Sequence, residues 1–327
     1  MKKILITGAS GFIGQSLIKS LSKLNKPICG TVRSNSSFFS NIKTQYVTVE
    51  DINLKTNWKE MLVNVDCVIH CAGKVHNMKK KIEPNEQKTY HSVNIDGTKQ
   101  LAKQAAEAKV RLLIFLSSIK VNEENTINYH SDKPLYDHKK IILTHKDLAN
   151  PKDHYAISKL EAEKALWKIS SRTGLGVVVV RLPLVYGYGV KGNLAKLIKL
   201  VRSGIPLPLS TVKNQRSMIG IDNLVDFLIR CIDHPESIGK TFLVSDDKDL
   251  STPDLIRLIA SSMGKKANLF PVPISLLKFL GSIFNKREEI NRLVGSLMID
   301  NSYAKEVLNW QPPLNVEEGI IKMIQGK

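Results

Sequence analysis

Short apolar runs alternate with amphipathic stretches over the first 180 or so residues. KILIT (3–7), PICGTV (27–32), YVTVE (46–50), DCVIHCA (66–72), RLLIFLSS (111–118) and GVVVVRL (176–182) have the length and β-branched content of strands. Between them, FIGQSLIKSLSKL, VNIDGTKQLAKQAAEAK and YAISKLEAEKALWKIS place apolar residues at helical spacing. That rhythm is βαβ. Val177 to Val180 are apolar on both faces, as in a strand covered from both sides, so the pattern predicts a doubly wound parallel sheet of the Rossmann α/β type. Beyond Arg181 the pattern loosens into GIPLPLS, STPDLIRLIASSMG, PVPISLLKFLGSIF and SYAKEVLNW. We expect a nucleotide-binding part over 1–181 and a smaller α/β substrate-binding part over 182–327, with the chain interleaving between them. There is no internal repeat and no low-complexity segment.

A chain of 327 residues with 43% hydrophobic content can bury a full core. MKKILITGAS runs from two lysines straight into a strand and a glycine turn, which is not a signal-peptide pattern. No window reaches the length of a membrane-spanning helix. Cys29, Cys67, Cys71 and Cys231 are unevenly scattered and read as reduced thiols, so a cytoplasmic protein is expected. The net charge of +18 raises nucleic acid as a partner, but the lysines are spread out and no helix-turn-helix, RRM or zinc-finger spacing accompanies them. No nucleic-acid partner is expected. The densest cationic run, NMKKKIEP (77–84), suits an anionic substrate or an acidic lipid surface. In ISLLKFLGSIF (274–284), Ile274, Leu277, Leu280 and Phe284 form one helical stripe. Core packing of that stripe is the expectation, and contact with a membrane the alternative.

The first chemical signal is TGASGFIG, where Gly8, Gly11 and Gly14 sit between a strand and a helix, with Phe12 and Ile13 between the last two glycines. Small residues there let the backbone approach a pyrophosphate, and the helix start offers free N–H groups. This predicts a dinucleotide. The second strand ends in Arg33 rather than in a carboxylate that would grip the ribose 2′-hydroxyl of NAD, so NADP(H) is favoured, with NAD(H) the alternative. Asp51 and Ile52, after the third strand, would flank the adenine. In HYAISK, Tyr155 and Lys159 lie four apart on one helical face. An ammonium near a phenol of ordinary pKa about 10 favours the phenolate, which makes the pair a proton-transfer device. His70 and His76 bring no ligand cluster with them, so no metal is expected.

Taken together, TGASGFIG, DCVIHCAG, VNIDGT, FLSSIKVN, YAISKLEAE, RLPLVYG, KGNLAKLI, RSMIGIDNLVD and VLNWQPP resemble the extended short-chain dehydrogenase/reductase family, the NAD-dependent epimerase/dehydratases, over nearly the whole chain. The nearer likeness is to UDP-glucose 4-epimerase-like enzymes and to the 4-keto-reductases that form UDP-N-acetylquinovosamine. The resemblance implies a UDP-sugar substrate and a homodimer built through helices starting near residues 89 and 153. It implies that Ser118 bonds the sugar C4 oxygen, Tyr155 exchanges its proton, and Lys159 holds the nicotinamide ribose and tunes Tyr155. It adds Ala72 and Pro183 to the cofactor set and gives Asn94 a supporting role. Asn193, Arg216 and, with a slipped local alignment, Arg292 would meet the diphosphate.

Sugar 4,6-dehydratases of this family carry an Asp-Glu pair where this chain has Ile119 and Lys120. Isoleucine cannot transfer a proton, and lysine is mostly charged at neutral pH. Elimination is therefore disfavoured, which leaves 4-keto-reduction or 4-epimerisation. Arg33 inclines the reading to a reductase acting on UDP-4-keto-6-deoxy-N-acetylhexosamine, since net reduction draws on NADPH. A non-catalytic NADP sensor on the same fold would not need both Tyr155 and Lys159. Lys120 itself is expected to point to solvent, with added positive potential near the C4 oxygen the alternative.

Overall fold

The computed structural model describes residues 3–33, 44–75, 85–123 and 142–326. The cationic run 77–84 and His76 lie outside the described residues. In chain order the first part comprises β1 (Lys3–Thr7), α1 (Phe12–Lys23), β2 (Ile28–Val32), β3 (Gln45–Thr48), β4 (Val65–His70), α2 (Glu86–Tyr90), a π-helical turn (His91–Asp96), α3 (Gly97–Glu107), β5 (Leu112–Ser118), β6 (Ile142–Leu143), α4 (His154–Thr173) and β7 (Gly176–Leu182). Then follow β8 (Leu184–Tyr186), α5 (Gly192–Ser203), β9 (Met218–Gly220), α6 (Ile221–Asp233), β10 (Lys240–Leu243), α7 (Thr252–Ser262), α8 (Ile274–Ile283), α9 (Arg287–Val294), β11 (Met298–Ile299), α10 (Ser302–Leu308) and α11 (Val316–Gln325).

Seven parallel strands form one sheet in the order β10-β7-β5-β4-β1-β2-β3. The side-chain period of two splits each central strand between the faces. Ile4, Ile6, Val178 and Val180 meet α1, α6 and α10 on one side, while Leu5, Val177 and Val179 meet α3 and α4 on the other. Strand order reverses between β1 and β4, and the crevice outside their C-terminal ends is the ligand position of such sheets. Lys240–Leu243, within the loosely patterned stretch beyond Arg181, supplies β10, the outer strand beside β7. The segment beyond residue 181 thus returns to the sheet. A separate core gathers Leu194, Met218, Leu250, Ile256, Ile259 and Ile320.

One buried ion pair links α4 to the sheet. Arg181, at the end of β7, donates from Nη2 to Glu163 Oε2 at 2.6 Å and from Nε to Glu163 Oε1 at 3.1 Å. Its Nη1 reaches Asn122 Oδ1 at 2.9 Å, and the Ser117 hydroxyl donates to Glu163. Both charged residues are buried, at 9% and 2% exposure, so neither finds water if the other is removed. Arg181→Met should therefore destabilise the fold by about 3–5 kcal/mol in urea unfolding, and the double variant Arg181→Met/Glu163→Gln by clearly less. Equal losses in the two variants would contradict this account of the pair.

Candidate active site

The nucleotide end is shaped by backbone proximity. Gly8, at φ +68°, has its α-carbon so close to the chain after β4 that a Cβ would lie 2.9 Å from the Ala72 backbone. A Cβ on Gly14 would lie 2.4 Å from the Gly8 carbonyl oxygen. Only glycine fits either place, and Gly11 stays exposed beside the start of α1 with Phe12 and Ile13 half-buried. This is the cradle that a pyrophosphate needs, so the residues present fit a dinucleotide. Beneath it, His70 is fully buried between the hydroxyls of Thr7 (2.6 Å) and Thr98 (3.0 Å), and burial lowers its pKa to about 3. It is a neutral fastener here, and among the described residues no cluster could hold a metal. Arg33 follows β2 on the exposed side; Asp51 is exposed and Ile52 half-buried, packed against Gly97 of α3.

The chemical end lies where β5, α4 and β7 meet. Asp153 caps α4, accepting from the Ala156 N–H at 2.7 Å, and so fixes the helical turn that bears Tyr155. The Ser118 hydroxyl and the Tyr155 phenol share a hydrogen bond. One turn further, Lys159 Nζ donates to the Leu116 carbonyl at 2.9 Å and lies 4.5 Å from the centre of the Phe115 ring. Asn94, in the π-helical turn, accepts from the Lys74 N–H at 2.8 Å and donates to the Ser158 hydroxyl at 2.9 Å. It ties the segment after β4 to α4. Free cysteines Cys29, Cys67 and Cys231 are buried in the core, and Cys71 lies near Lys159, its thiol pushed up to about 12 by burial.

The electrostatics differ from the sequence expectation. Burial pushes the Tyr155 phenol up to about 12, the Ser118 hydrogen bond opposes the rise, and the Asp153 carboxylate adds to it. Lys159 does not pull that phenol down here, because its ammonium is held at the Leu116 carbonyl. Burial lowers Lys159 itself to about 8, against the opposing pull of Glu163 and Cys71.

A cleft opens from this centre, lined by Ser118, Tyr155 and Pro183 at one end and by Asn193, Arg216 and Arg292 further along. The structure therefore gathers all six of these sequence-predicted residues, including Arg292, whose alignment was the least secure. Arg216 Nη1 donates to the carbonyls of Arg292 (3.1 Å) and Gly295 (3.0 Å), which fixes its guanidinium. Arg292 pairs with Glu288 at 3.2 Å. Lys120 corrects the sequence reading: it lines the cleft and pairs with Asp153 at 2.8 Å instead of extending into solvent. Lys191 and Glu289 also line the cleft and were not identified from sequence, since single charged residues in loosely patterned segments carry no spacing signal. The Glu163–Arg181 pair was missed too; only its i, i+4 offset from Lys159 could have suggested it.

A family model described as the NAD dependent epimerase/dehydratase family matches residues 4–245. The chain is 40% identical, over 99% of its length and 95% of the relative's, to a UDP-glucose 4-epimerase of Vibrio cholerae. It is 24% identical, over 84% of its length and 77% of the relative's, to an N-acetyl-alpha-D-glucosaminyl-diphospho-ditrans,octacis-undecaprenol 4-epimerase of Escherichia coli O157:H7. Among solved structures, a UDP-glucuronic acid 4-epimerase from Bacillus cereus in complex with NAD superposes with a TM-score of 0.75 at 21% identity, covering 98% of this chain and 97% of that one.

The lowered Lys159 yields a stability test. Below pH about 8 the folded state holds a charged ammonium that burial disfavours; between about 8 and the ordinary lysine value the unfolded chain binds the extra proton, so stability rises with pH across that window. Lys159→Met should raise the thermal midpoint at pH 7, and its advantage should shrink as pH climbs towards 10.5. A variant less stable than the wild type at pH 7 would contradict the burial account.

Proposed function

The chain belongs to the NAD dependent epimerase/dehydratase family, and within it we propose NAD(P)-dependent reduction of a UDP-4-keto-6-deoxy-N-acetylhexosamine to its 4-hydroxy product. The observation that carries this reading is the wall beside the reacting position. Ile119, Leu182, Pro183 and Leu184 line the cleft next to Ser118 and Tyr155, with Val75 also in the lining. Ile119 is 3% exposed and offers no proton to an elimination. A wall of this kind suits a methyl group at C6 better than a hydroxymethyl group, whose hydroxyl would lose its water without an acceptor.

When bound, the nicotinamide supplies the hydride that the C4 carbon accepts. Tyr155 donates the proton to the C4 oxygen, and its raised pKa means that it enters the reaction protonated at neutral pH, the state that reduction requires. Ser118 donates a hydrogen bond to the same oxygen and stabilises the charge developing there. Gly8, Gly11, Gly14 and Ala72 would hold the dinucleotide, and Lys159 its ribose. The fixed Arg216, with Arg292 and Asn193, would orient the diphosphate. Arg33 favours NADP(H), through a charge-assisted pair with a 2′-phosphate that NAD lacks.

The Vibrio cholerae relative's name favours a second reading, 4-epimerisation of a UDP-hexose on the same residues. Two reaction tubes separate the readings. With UDP-4-keto-6-deoxy-N-acetylglucosamine and NADPH, one reduced cofactor should disappear per sugar, and the 6-deoxy alcohol should be identified by NMR. With UDP-N-acetylglucosamine and no reductant, no N-acetylgalactosamine epimer should form. Rapid epimer formation in the second tube would replace the reductase reading with the epimerase.

Tyr155→Phe should lower turnover by about 10²- to 10⁴-fold with cofactor affinity within a few-fold, because only the proton carrier is removed. Ser118→Ala should cost less. Retention of more than half the rate in the phenylalanine variant would remove Tyr155 from its role. Arg33→Asp should reverse a preference for NADPH over NADH, and equal wild-type affinity for the two would defeat the argument from β2.

A further inference from the structure

The helix α8 exposes an apolar face that the fold leaves uncovered among the described residues. Leu276, Phe279, Leu280 and Ile283 recur at i, i+3, i+4 and i+7, the spacing of one helical stripe, with exposures of 45%, 62%, 40% and 58%. Phe284, at the helix end, is 68% exposed. The expectation of core packing for ISLLKFLGSIF holds for only half of its stripe. Of the stripe read from sequence, Leu277 is buried and Ile274 half-buried, whereas Leu280 and Phe284 are exposed. The inward side of α8 meets α9, and the contact is close: a Cβ on Gly281 would lie 2.8 Å from an Ile290 side-chain carbon. The outward side is therefore presented on a firmly packed helical hairpin.

The chain around this face is rich in cations. From Leu255 to Arg287 the sequence holds six cations and no carboxylate, within a chain of net charge +18. Lys286 and Arg287, directly after Phe284, are exposed. Glu288 and Glu289 come next, but each already meets a cation, Arg292 at 3.2 Å and Lys286 at 3.4 Å.

We propose that α8 docks this protein on an anionic bilayer surface, with Phe279, Ile283 and Phe284 entering the headgroup–acyl boundary and Lys286 and Arg287 meeting lipid phosphates. Projecting phenyl groups suit a deformable apolar medium, whereas a protein partner would need a complementary hole for each. A second copy would bring the same cations against one another, which costs energy. An acidic membrane surface satisfies both the apolar stripe and its charge. Because α9 carries Arg292 and Glu289 of the cleft lining, docking would hold the substrate entrance close to the lipid surface.

The test is co-sedimentation of the full chain with vesicles of phosphatidylethanolamine and phosphatidylglycerol, with phosphatidylcholine vesicles alongside. The wild type should pellet with the anionic vesicles and remain in the supernatant with the neutral ones. Phe279→Glu/Phe284→Glu should lower anionic binding at least tenfold while turnover of water-soluble substrate stays at the wild-type rate. Circular dichroism of the variant checks that it is folded, and Lys286→Glu/Arg287→Glu, which leaves the apolar stripe intact, should also lower binding. Failure to pellet with anionic vesicles, or equal binding by wild type and both variants, would overturn the proposal. So would loss of a wild-type self-association in the phenylalanine variant by sedimentation velocity, which would assign the face to a second copy.

Discussion

Glu163 and Arg181 set the register between α4 and the sheet. Tyr155, Lys159 and Glu163 follow one another at four-residue intervals along α4, so fixing the carboxylate fixes the whole stripe. The carboxylate is fixed twice, by the bidentate Arg181 of β7 and by the hydroxyl of Ser117 on β5. Ser117 precedes Ser118, so the Ser118 hydroxyl and the Tyr155 phenol refer to the same buried anchor. Asn122 extends the anchor to the chain after β5, accepting from Arg181 and donating to the Asp147 carbonyl at 3.0 Å. Two charges out of water give little net stability, but removal of either strands the other. The pair is thus better understood as a device for position.

Charge near the phenol is managed by opposition. Asp153 is needed to cap α4, yet its carboxylate raises the pKa of Tyr155 two residues away. Lys120, at 2.8 Å, partners that carboxylate from the wall of the cleft. Lys159 carries the larger cost, an ammonium in a site closed to water. Buried ionisable groups held in this way cost stability, a pattern common at active sites.

The second part of the chain works by a different constraint. Arg216 is anchored through its own backbone, which bridges to Leu250 and to Leu297, and through carbonyls offered by Arg292 and Gly295. Carbonyl partners hold a guanidinium in place without neutralising it. The segment from Arg292 to Leu297 therefore shapes the arginine-bearing end of the cleft, while α8 lies on the other side of the same hairpin.

The sequence alone was sufficient for the parallel sheet, the glycine cradle and the Tyr155–Lys159 stripe. Each is written locally: a continuous apolar run in GVVVVRL, small residues between a strand and a helix, and two polar residues four apart on a helix. Ile119 and Lys120 were legible as departures from a motif, but the direction in which Lys120 points was not. It depends on Asp153, 33 residues away. The meeting of Glu163 with Arg181, the convergence of Arg216 and Arg292, and the return of Thr241 to Leu243 to the sheet were likewise decided by tertiary contacts between distant segments. So was the outward face of α8: helical periodicity shows that an apolar stripe exists, but which side is buried depends on the partner, and Gly281 against Ile290 turned Leu277 inward and left Phe279 in the open.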